Sequence, residues 1–261
     1  MPRLIKHLLC FATLMSMGIF LGCASSPRLS RFPLRTIDRP YSLPQGVSSW
    51  KVVNALGVSK SSNEVTDLNT VFFPFFWEQG LSDSFSMVWF PLPLEFRFQA
   101  IKNEKYRLGL GMNLFANILY QFQGFNWTPF LDVDQRFYLS PHIAIDWNIH
   151  VQLEIRRSTP AFHYGVLNWV GPLYQINDST HFQTQLGFLY EYGNPRSLYL
   201  GRPPSNLGPG PYWRFPVRLG VGRIFDKQWQ VSAFWNAYFL GFSESQNYSN
   251  QAYFLELTHF F

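Results

Sequence analysis

Histidine and acidic side chains recur at every fourth position from residue 142 to residue 154, as His142, Asp146, His150 and Glu154. Imidazole and carboxylate groups bind divalent cations, so this row suggests a metal site. On a β-strand, however, neighbours in the row would lie roughly 13 Å apart, because each residue advances the chain by about 3.3 Å. One ion cannot contact two side chains that distant without help from adjacent strands. We therefore predict no metal and no cofactor.

A second charged group lies just upstream, at Asp132, Asp134 and Arg136. If the turn over 139–142 is tight, antiparallel pairing sets Asp134 near Asp146 and Asp132 near Asn148, with Arg136 on the same face. Clustered carboxylates could bind Ca²⁺. We favour ion pairs instead, because charges in a narrow interior need partners. The arginines available for such pairs are Arg97, Arg107, Arg136, Arg214 and Arg218.

Ser158 and His163 are the candidates for a nucleophile and its base. Such a pair needs hydrogen-bond reach, and nothing in this spacing demands that contact, so polar loop residues are the favoured interpretation. The chain has no Gly-rich phosphate loop followed by a helix, no His-Glu-x-x-His and no Gly-x-Ser-x-Gly. We predict no catalytic residue and a non-enzymatic protein.

The elements that carry these residues are predicted to be long β-strands, because apolar and polar residues alternate. In the clearest case, over 142–155, apolar residues occupy the odd positions from Ile143 to Ile155. A helix would scatter both sets. Strands of about 10–14 residues are longer than the 5–6 residues typical of soluble sandwiches, and they can cross a membrane when tilted. The pattern repeats over 106–114, 182–192, 213–222 and 229–239.

The composition favours a membrane barrel over other membrane or binding proteins. Aromatic residues make up 19% and charged residues 14% of the 261 positions, whereas about 25% charged is usual in soluble domains. The mean hydropathy of −0.07 excludes a bundle of transmembrane helices. A barrel reconciles these values, because lipid-facing and lumen-facing residues alternate. The net charge of +5 is scattered and forms no basic stripe, so we predict no nucleic-acid partner.

We predict an all-β, antiparallel up-and-down transmembrane barrel of about twelve strands, with ten as the alternative. Short and long connections alternate, as in outer-membrane barrels. The apolar face changes parity between Phe85 and Phe98. A turn at Phe90-Pro91 keeps the alternation and an even strand number, whereas a bulge would not. The predicted strands lie near 47–57, 66–77, 83–90, 92–101, 105–119, 129–139, 142–155, 161–174, 180–193, 212–225, 229–241 and 251–261.

The N-terminus is predicted to direct export. Arg3 and Lys6 precede an apolar run over 8–21 that is short for a spanning helix and typical of a cleaved signal. With Gly22 and Cys23 it resembles the signal of bacterial lipoproteins, which implies cleavage after Gly22 and a lipid on Cys23. An ordinary signal cut near Gly22 is the alternative. Residues 1–22 would be the signal, 23–46 a Ser/Pro/Arg-rich periplasmic tether, and 47–261 the barrel.

Two stretches resemble bacterial outer-membrane barrels more specifically. Gly80-Leu81-Ser82-Asp83 is similar to turns at their periplasmic hairpins. The alternate residues of the last strand, which we call the C-terminal row, resemble the signal that the barrel-assembly machinery recognises. This resemblance implies the bacterial outer membrane as location, with membrane lipids, the assembly machinery and the lipoprotein-sorting machinery as partners. The residues of the C-terminal row are Tyr253, Leu255, Leu257 and Phe261.

Function is predicted only by class. The leading hypothesis is a non-enzymatic barrel, either a structural or surface protein or a narrow pore, that is also anchored by its N-terminal lipid. An enzyme acting on membrane lipids and a soluble periplasmic sandwich lipoprotein are the alternatives. Pairing of 251–261 with 47–57 would distinguish a closed barrel from a sandwich.

Overall fold

The structure is a computed structural model that describes residue 29 and residues 32–61, 64–89, 95–113, 126–127, 129–156, 162–192, 211–240 and 248–261. Most of these residues lie in antiparallel strands. Within these ranges, no helix is long and apolar enough to span a membrane. The strands are β1 Ser48–Ser61, β2 Glu64–Ser82, β3 Phe85–Trp89, β4 Glu95–Lys102, β5 Tyr106–Asn113, β6 Asn126–Trp127, β7 Phe130–Ser140, β8 Ile143–Arg156, β9 Phe162–Gln175, β10 Thr180–Tyr192, β11 Pro211–Phe225, β12 Trp229–Leu240 and β13 Tyr248–Phe260.

The sheet closes on itself through its first and last strands. β1 pairs with β13 along its length, from Ser49 opposite Phe260 to Ser61 opposite Tyr248. The two-residue β6 pairs with β8, and β5 pairs with β7. The other strands pair with their neighbours in chain order, and β8 pairs with β9 to complete the ring. The closed barrel is confirmed, and the alternative of a soluble sandwich is wrong.

β6 and β7 are two parts of one barrel strand. Trp127 faces Ile155 and Phe130 faces Gln152, so both parts keep one register against β8. The amide of Leu153 donates to the Pro129 carbonyl across the break, at 3.0 Å. The barrel therefore has twelve strands, as predicted, and the ten-strand alternative is wrong.

Five short connections lie at one end of the barrel, the end where β1 begins and β13 ends. They are residues 83–84, 103–105, 141–142, 176–179 and 226–228. Ser48 and Phe261 exchange two backbone hydrogen bonds, of 2.8 and 2.9 Å, at the same end. Because short turns face the periplasm in outer-membrane barrels, we call it the periplasmic end. The predicted Phe90-Pro91 turn lies outside the described residues.

β3 and β4 are separate strands, as the change in parity predicted. Phe85 faces Phe98 and Val88 faces Glu95 across the pair. β1 and β2 are longer than predicted, and residues 62–63 alone separate them. Bulges between Lys51 and Val53 and between Ser59 and Lys60 interrupt their ladder, which explains why the alternation looked shorter in the sequence.

The two faces of the barrel have opposite chemistry. On β8, Trp147 and Val151 point outward and are exposed, whereas Asp146 and Gln152 point inward and are buried. β5, β10, β11 and β12 alternate in the same way. An outer surface covered by large apolar side chains has no favourable contact with water, so it is a lipid-facing belt. Exposed members of the belt include Leu131, Val170, Leu186, Phe215, Leu219, Val221 and Leu255.

Aromatic side chains gather at both rims of the belt. At the periplasmic rim, Trp50, Trp229 and His259 contact one another, with ring centroids 4.3–5.7 Å apart. At the opposite rim, the Tyr190 and Trp213 ring centroids lie 4.4 Å apart. Two aromatic girdles are typical of transmembrane barrels, because these rings favour the headgroup region.

Residues 32–47, which we call the plug, fold into the periplasmic end of the barrel. Ile37 is fully buried against Ala144 and Leu173 of the inner wall. A single turn of 3-10 helix, Thr36–Asp38, lies at the centre of the segment. The prediction of a free tether is therefore wrong for the described part of 23–46, because this segment is buried among strands. Further contacts form between Leu29, Phe32, Leu43, Val47 and Phe260.

Candidate functional site in the barrel lumen

Arg136 and Asp146 form a bidentate ion pair on the inner wall. Arg136 on β7 directly faces Asp146 on β8. Its Nε and Nη2 donate to the two carboxylate oxygens, at 2.6 and 2.9 Å. Both side chains are less than one-tenth exposed. A fork-to-fork pair of this kind satisfies both charges in an enclosed site.

The register between β7 and β8 differs from the prediction by two residues. The sequence suggested Asp134 near Asp146, whereas Asp134 faces Asn148. The turn lies at residues 141–142, so that Ser140 faces Ile143, and an irregularity between Tyr138 and Ser140 then changes the register by one residue. The Ser140 hydroxyl accepts from the amides of His142 and Ile143, at 3.2 and 3.1 Å. A tight turn was the correct expectation, but its bulge changes which side chains meet.

The other two aspartates of this wall, Asp132 and Asp134, each form a hydrogen bond with a different side chain. The His150 ring nitrogen Nδ1 lies 2.6 Å from Asp132, and the Asn148 amide donates to Asp134. Among the described residues, no group of three or more histidine, cysteine, aspartate or glutamate side chains could hold a metal ion. His142 lies at the turn, where its Nδ1 contacts the Gln175 carbonyl at 3.2 Å.

A second ion-pair cluster lies on β2 to β4, and the sequence reasoning did not identify it as a group. Arg97 donates to Glu95 at 2.6 Å and to Glu78 at 3.0 Å. Ser86 also donates to Glu78, at 2.6 Å. The inward parity of Arg97 was visible in the sequence. Its partner Glu78 lies two strands away on β2. The registers of β2 against β3 and of β3 against β4 bring the two side chains together, and the sequence does not show these registers.

Arg214 and Arg218 lie on β11, which is three strands along the ring from β8. Arg214 pairs with Glu191 at 3.0 Å, and both are almost fully buried. Arg218 donates to Asn236 at 3.0 Å and lies over the Trp169 ring at 4.5 Å. Arg218 also donates to Gln185 at 3.4 Å, and Gln185 donates to Asn148 at 2.8 Å. Because Asn148 donates to Asp134, these amides connect Arg218 to the aspartate row, whereas Arg214 pairs with Glu191.

Cationic and phenolic side chains of the lumen hold the plug through its backbone carbonyls. Arg136 donates to the Thr36 and Ile37 carbonyls, at 3.1 and 3.0 Å. Tyr138 donates to the Ile37 carbonyl at 2.8 Å. Arg107 donates to the Asp38 and Arg39 carbonyls, at 2.6 and 3.1 Å. Hydrogen bonds from charged donors are among the stronger ones, so these contacts fix the plug.

Uncharged polar side chains hold the plug from other strands. The amide of Ile37 donates to Gln175 at 3.1 Å, and that of Tyr41 to Gln99 at 3.0 Å. The Thr36 hydroxyl lies 2.9 Å from the His181 ring nitrogen Nδ1. None of these partners could be identified from the sequence, because their contacts depend on a segment with no periodic pattern.

Two glycines allow the plug to approach the wall closely. A Cβ at Gly80 would lie 1.9 Å from the Pro44 carbonyl oxygen, and one at Gly109 would lie 2.6 Å from the Tyr41 side chain. Any larger residue would push the plug away from the strand. Gly80 of β2 and Gly109 of β5 therefore make room for the plug.

Arg39 anchors the plug by its guanidinium. The group lies between the rings of Phe32 and Phe260, at 4.7 and 4.5 Å. It also donates to Gln230 at 2.8 Å and to the Pro33 carbonyl at 3.0 Å. Burial lowers the pKa of Arg39 below that of a free guanidinium. The two aromatic faces offset part of this desolvation by cation–π attraction.

The other predicted site residues fall into two groups. Gly22, Cys23 and Ser158 lie outside the described residues, as does the side chain of His163. The C-terminal row is described: Tyr253 and Leu255 are exposed on the belt. The Phe261 ring packs edge-on against Trp77, with centroids 5.1 Å apart. His259 lies within the periplasmic girdle, with its ring against those of Trp229 and Phe261.

Comparison with known proteins supports the fold. No protein-family model matches the chain, and no curated protein matches it. An outer-membrane channel from Pseudomonas putida F1 is similar in structure, with a TM-score of 0.60, 12% identity, and coverage of 85% of this chain and 98% of that one. OmpT of Vibrio cholerae, an outer-membrane protein, gives a TM-score of 0.43 at 7% identity over 82% of this chain and 97% of its own. A bacterial polysaccharide outer-membrane secretin gives 0.43 at 10% identity, covering 82% and 98%. The last two likenesses are too distant to bear on the fold.

Fold and surface together define the class of this protein. A closed antiparallel barrel satisfies all backbone hydrogen bonds in lipid, and its belt exposes apolar side chains between two aromatic girdles. The chain is a closed twelve-stranded β-barrel with a lipid-facing belt, and it has the fold of bacterial outer-membrane barrels.

Proposed function

We propose that this chain is a non-enzymatic outer-membrane barrel whose lumen is closed at the periplasmic end by its own N-terminal plug. A lipid on Cys23 anchors the start of the mature chain to the same membrane. Of the two functions that the sequence left open, the plug favours a structural or surface protein over a constitutively open pore.

The contacts of residues 32–47 are the observation that carries this proposal. Side chains of β4, β5, β7, β9, β10 and β12 bind the segment by hydrogen bonds, and Phe260 of β13 packs against it. Gly80 of β2 also abuts it. A segment held from nearly every side of the ring crosses the lumen rather than lining one wall. Ions would have to displace it to pass.

The lipid anchor is compatible with this position of the plug. Leu29 is buried beside Phe260, which belongs to the last strand of the barrel. Cys23 lies six positions before Leu29, and an extended chain reaches about 20 Å over six positions. That reach is sufficient for a lipid on Cys23 to enter the membrane beside the barrel while the plug remains in the lumen.

Planar-bilayer conductance tests the proposal. We expect the purified full chain to give no stable channel openings. The Ile37→Asn variant places an amide in a fully buried apolar site, which should weaken plug packing by about 3 kcal/mol. It should give openings, because residue 37 belongs to the plug and to none of the strands.

The matched control is Gln45→Asn, which changes an exposed residue of the same segment. It should stay silent. Stable openings of the unmodified chain, at the same frequency as in Ile37→Asn, would show that the plug does not close the lumen. Heat-modifiable gel mobility of each variant confirms that the barrel is folded.

A further inference from the structure

An apolar groove of about 310 Å³ lies on the lipid-facing side of β10 to β13. It exists because Ala233 is small and lies in a row of large side chains. In register, Phe182 faces Val221, Val221 faces Ala233, and Ala233 faces Leu255. The outward residues that line the groove are Phe182, Leu219, Val221, Ala233, Trp235 and Tyr253.

A single cation lies beside the groove. Arg223 is two residues beyond Val221 on β11, so the two Cα atoms are about 7 Å apart along the strand. It points outward and is exposed, and it faces Val231 across the strand pair. Among the outward strand positions whose side chains the structure describes, Arg223 is the one with a full charge.

The depth of Arg223 matches that of lipid phosphates. Its guanidinium lies over the Phe225 ring, at 5.2 Å, and Phe225 faces Trp229 of the periplasmic girdle. A cation on the lipid face is costly at the bilayer centre and is tolerated near the interface. Aromatic girdles mark the headgroup level, so Arg223 lies where the belt meets the phosphates of the periplasmic leaflet.

We propose that the groove and Arg223 together form a binding site for one anionic phospholipid of the periplasmic leaflet. One acyl chain occupies the groove over Ala233, and the phosphate binds the guanidinium of Arg223. Charge complementarity selects the headgroup, because guanidinium and phosphate form charge-assisted hydrogen bonds. The apolar side chains that line the groove favour a ligand with an acyl chain, and therefore a lipid over a soluble anion. This inference is independent of whether the plug closes the lumen.

Native mass spectrometry of the delipidated full chain in detergent tests the site. Phosphatidylglycerol and phosphatidylcholine with identical acyl chains are the probes. We expect one phosphatidylglycerol to bind about tenfold more tightly than phosphatidylcholine, as one charge-assisted contact near a surface would give. Arg223→Gln should abolish this preference. Ala233→Phe should fill the groove and weaken binding of both lipids.

Two matched controls separate the site from general effects. Lys105→Gln removes an equal charge from another periplasmic turn, and Val151→Phe enlarges the belt on β8. Neither should change binding, and heat-modifiable mobility verifies folding of all variants. Equal affinity for both lipids would overturn the proposal, as would unchanged binding in Arg223→Gln and Ala233→Phe. The proposal would also be overturned if the single bound lipid proved to be covalently attached. That added mass would then be the acyl group on Cys23 and not a phospholipid in the groove.

Discussion

At the scale of single residues, Arg136 links the barrel wall to the plug. Its guanidinium pairs with Asp146 and also donates to two plug carbonyls. In an enclosed site, removing one partner of an ion pair leaves the other charge without compensation, which costs far more than the intact pair contributes. Substituting either residue should therefore lower the free energy of unfolding strongly, even though an intact ion pair adds little to it.

We expect Asp146→Ala to lower the free energy of unfolding by about 3–5 kcal/mol, because a buried guanidinium loses its carboxylate. Urea titration of the protein folded into lipid vesicles measures the change.

Asp38→Ala is the control for this substitution. Asp38 pairs with Arg35 at 3.4 Å, but its side chain is 42% exposed. Solvent screens such a pair, so the loss should stay below about 1 kcal/mol. Equal effects of the two substitutions would contradict the interpretation of the Arg136 site.

At the scale of elements, strands and plug are stabilised in different ways. The strands are held by backbone ladders and by an alternating pattern that places each side chain on one face. The plug has one short helical turn and depends on side chains of the wall for its hydrogen bonds. Its conformation is therefore conditional on the closed barrel.

Cysteine accessibility measures this dependence. In a background without other thiols, Ile37→Cys should react with a membrane-impermeant maleimide at least about tenfold more slowly than Gln45→Cys, because reaction at a buried site requires local opening. Urea should remove the difference once the barrel unfolds. Equal rates in the folded protein would mean that residues 32–47 leave the lumen freely.

At the scale of the whole molecule, closure of the ring and the predicted lipid are two independent membrane attachments. The β1–β13 seam joins thirteen opposed residue pairs, and the belt buries apolar side chains in lipid around the ring. A barrel of this kind is retained without any covalent anchor. The lipid would add attachment for the N-terminal segment alone.

We expect Cys23→Ser to abolish incorporation of labelled fatty acid while the protein stays in the urea-washed outer-membrane fraction with heat-modifiable mobility. Cys10→Ser, which changes the signal region alone, should leave labelling intact. Labelled Cys23→Ser would show that the lipid is elsewhere. Extraction of Cys23→Ser by urea would show that the barrel does not hold the protein in the membrane.

The sequence was sufficient for the strands but not for several of their contacts. Ile143 to Ile155 and Trp213 to Val221 revealed their outward faces, because a period of two is a local property. The pairing of Asp146 was predicted wrongly, because the position of the turn at residues 141–142 and a one-residue bulge near Ser140 together set the register of β7. The plug was mistaken for a tether because its Ser, Pro and Arg residues have no apolar period.

By itself, the sequence of this protein determined a chain of alternating strands with an apolar and a polar face, because side-chain parity follows directly from residue order. The tertiary structure alone decided which charges meet and where residues 32–47 lie. Register depends on bulges, and the plug is bound through backbone groups that every residue type shares. Such contacts leave no residue pattern along the chain, so they become visible only when the ring is closed around them.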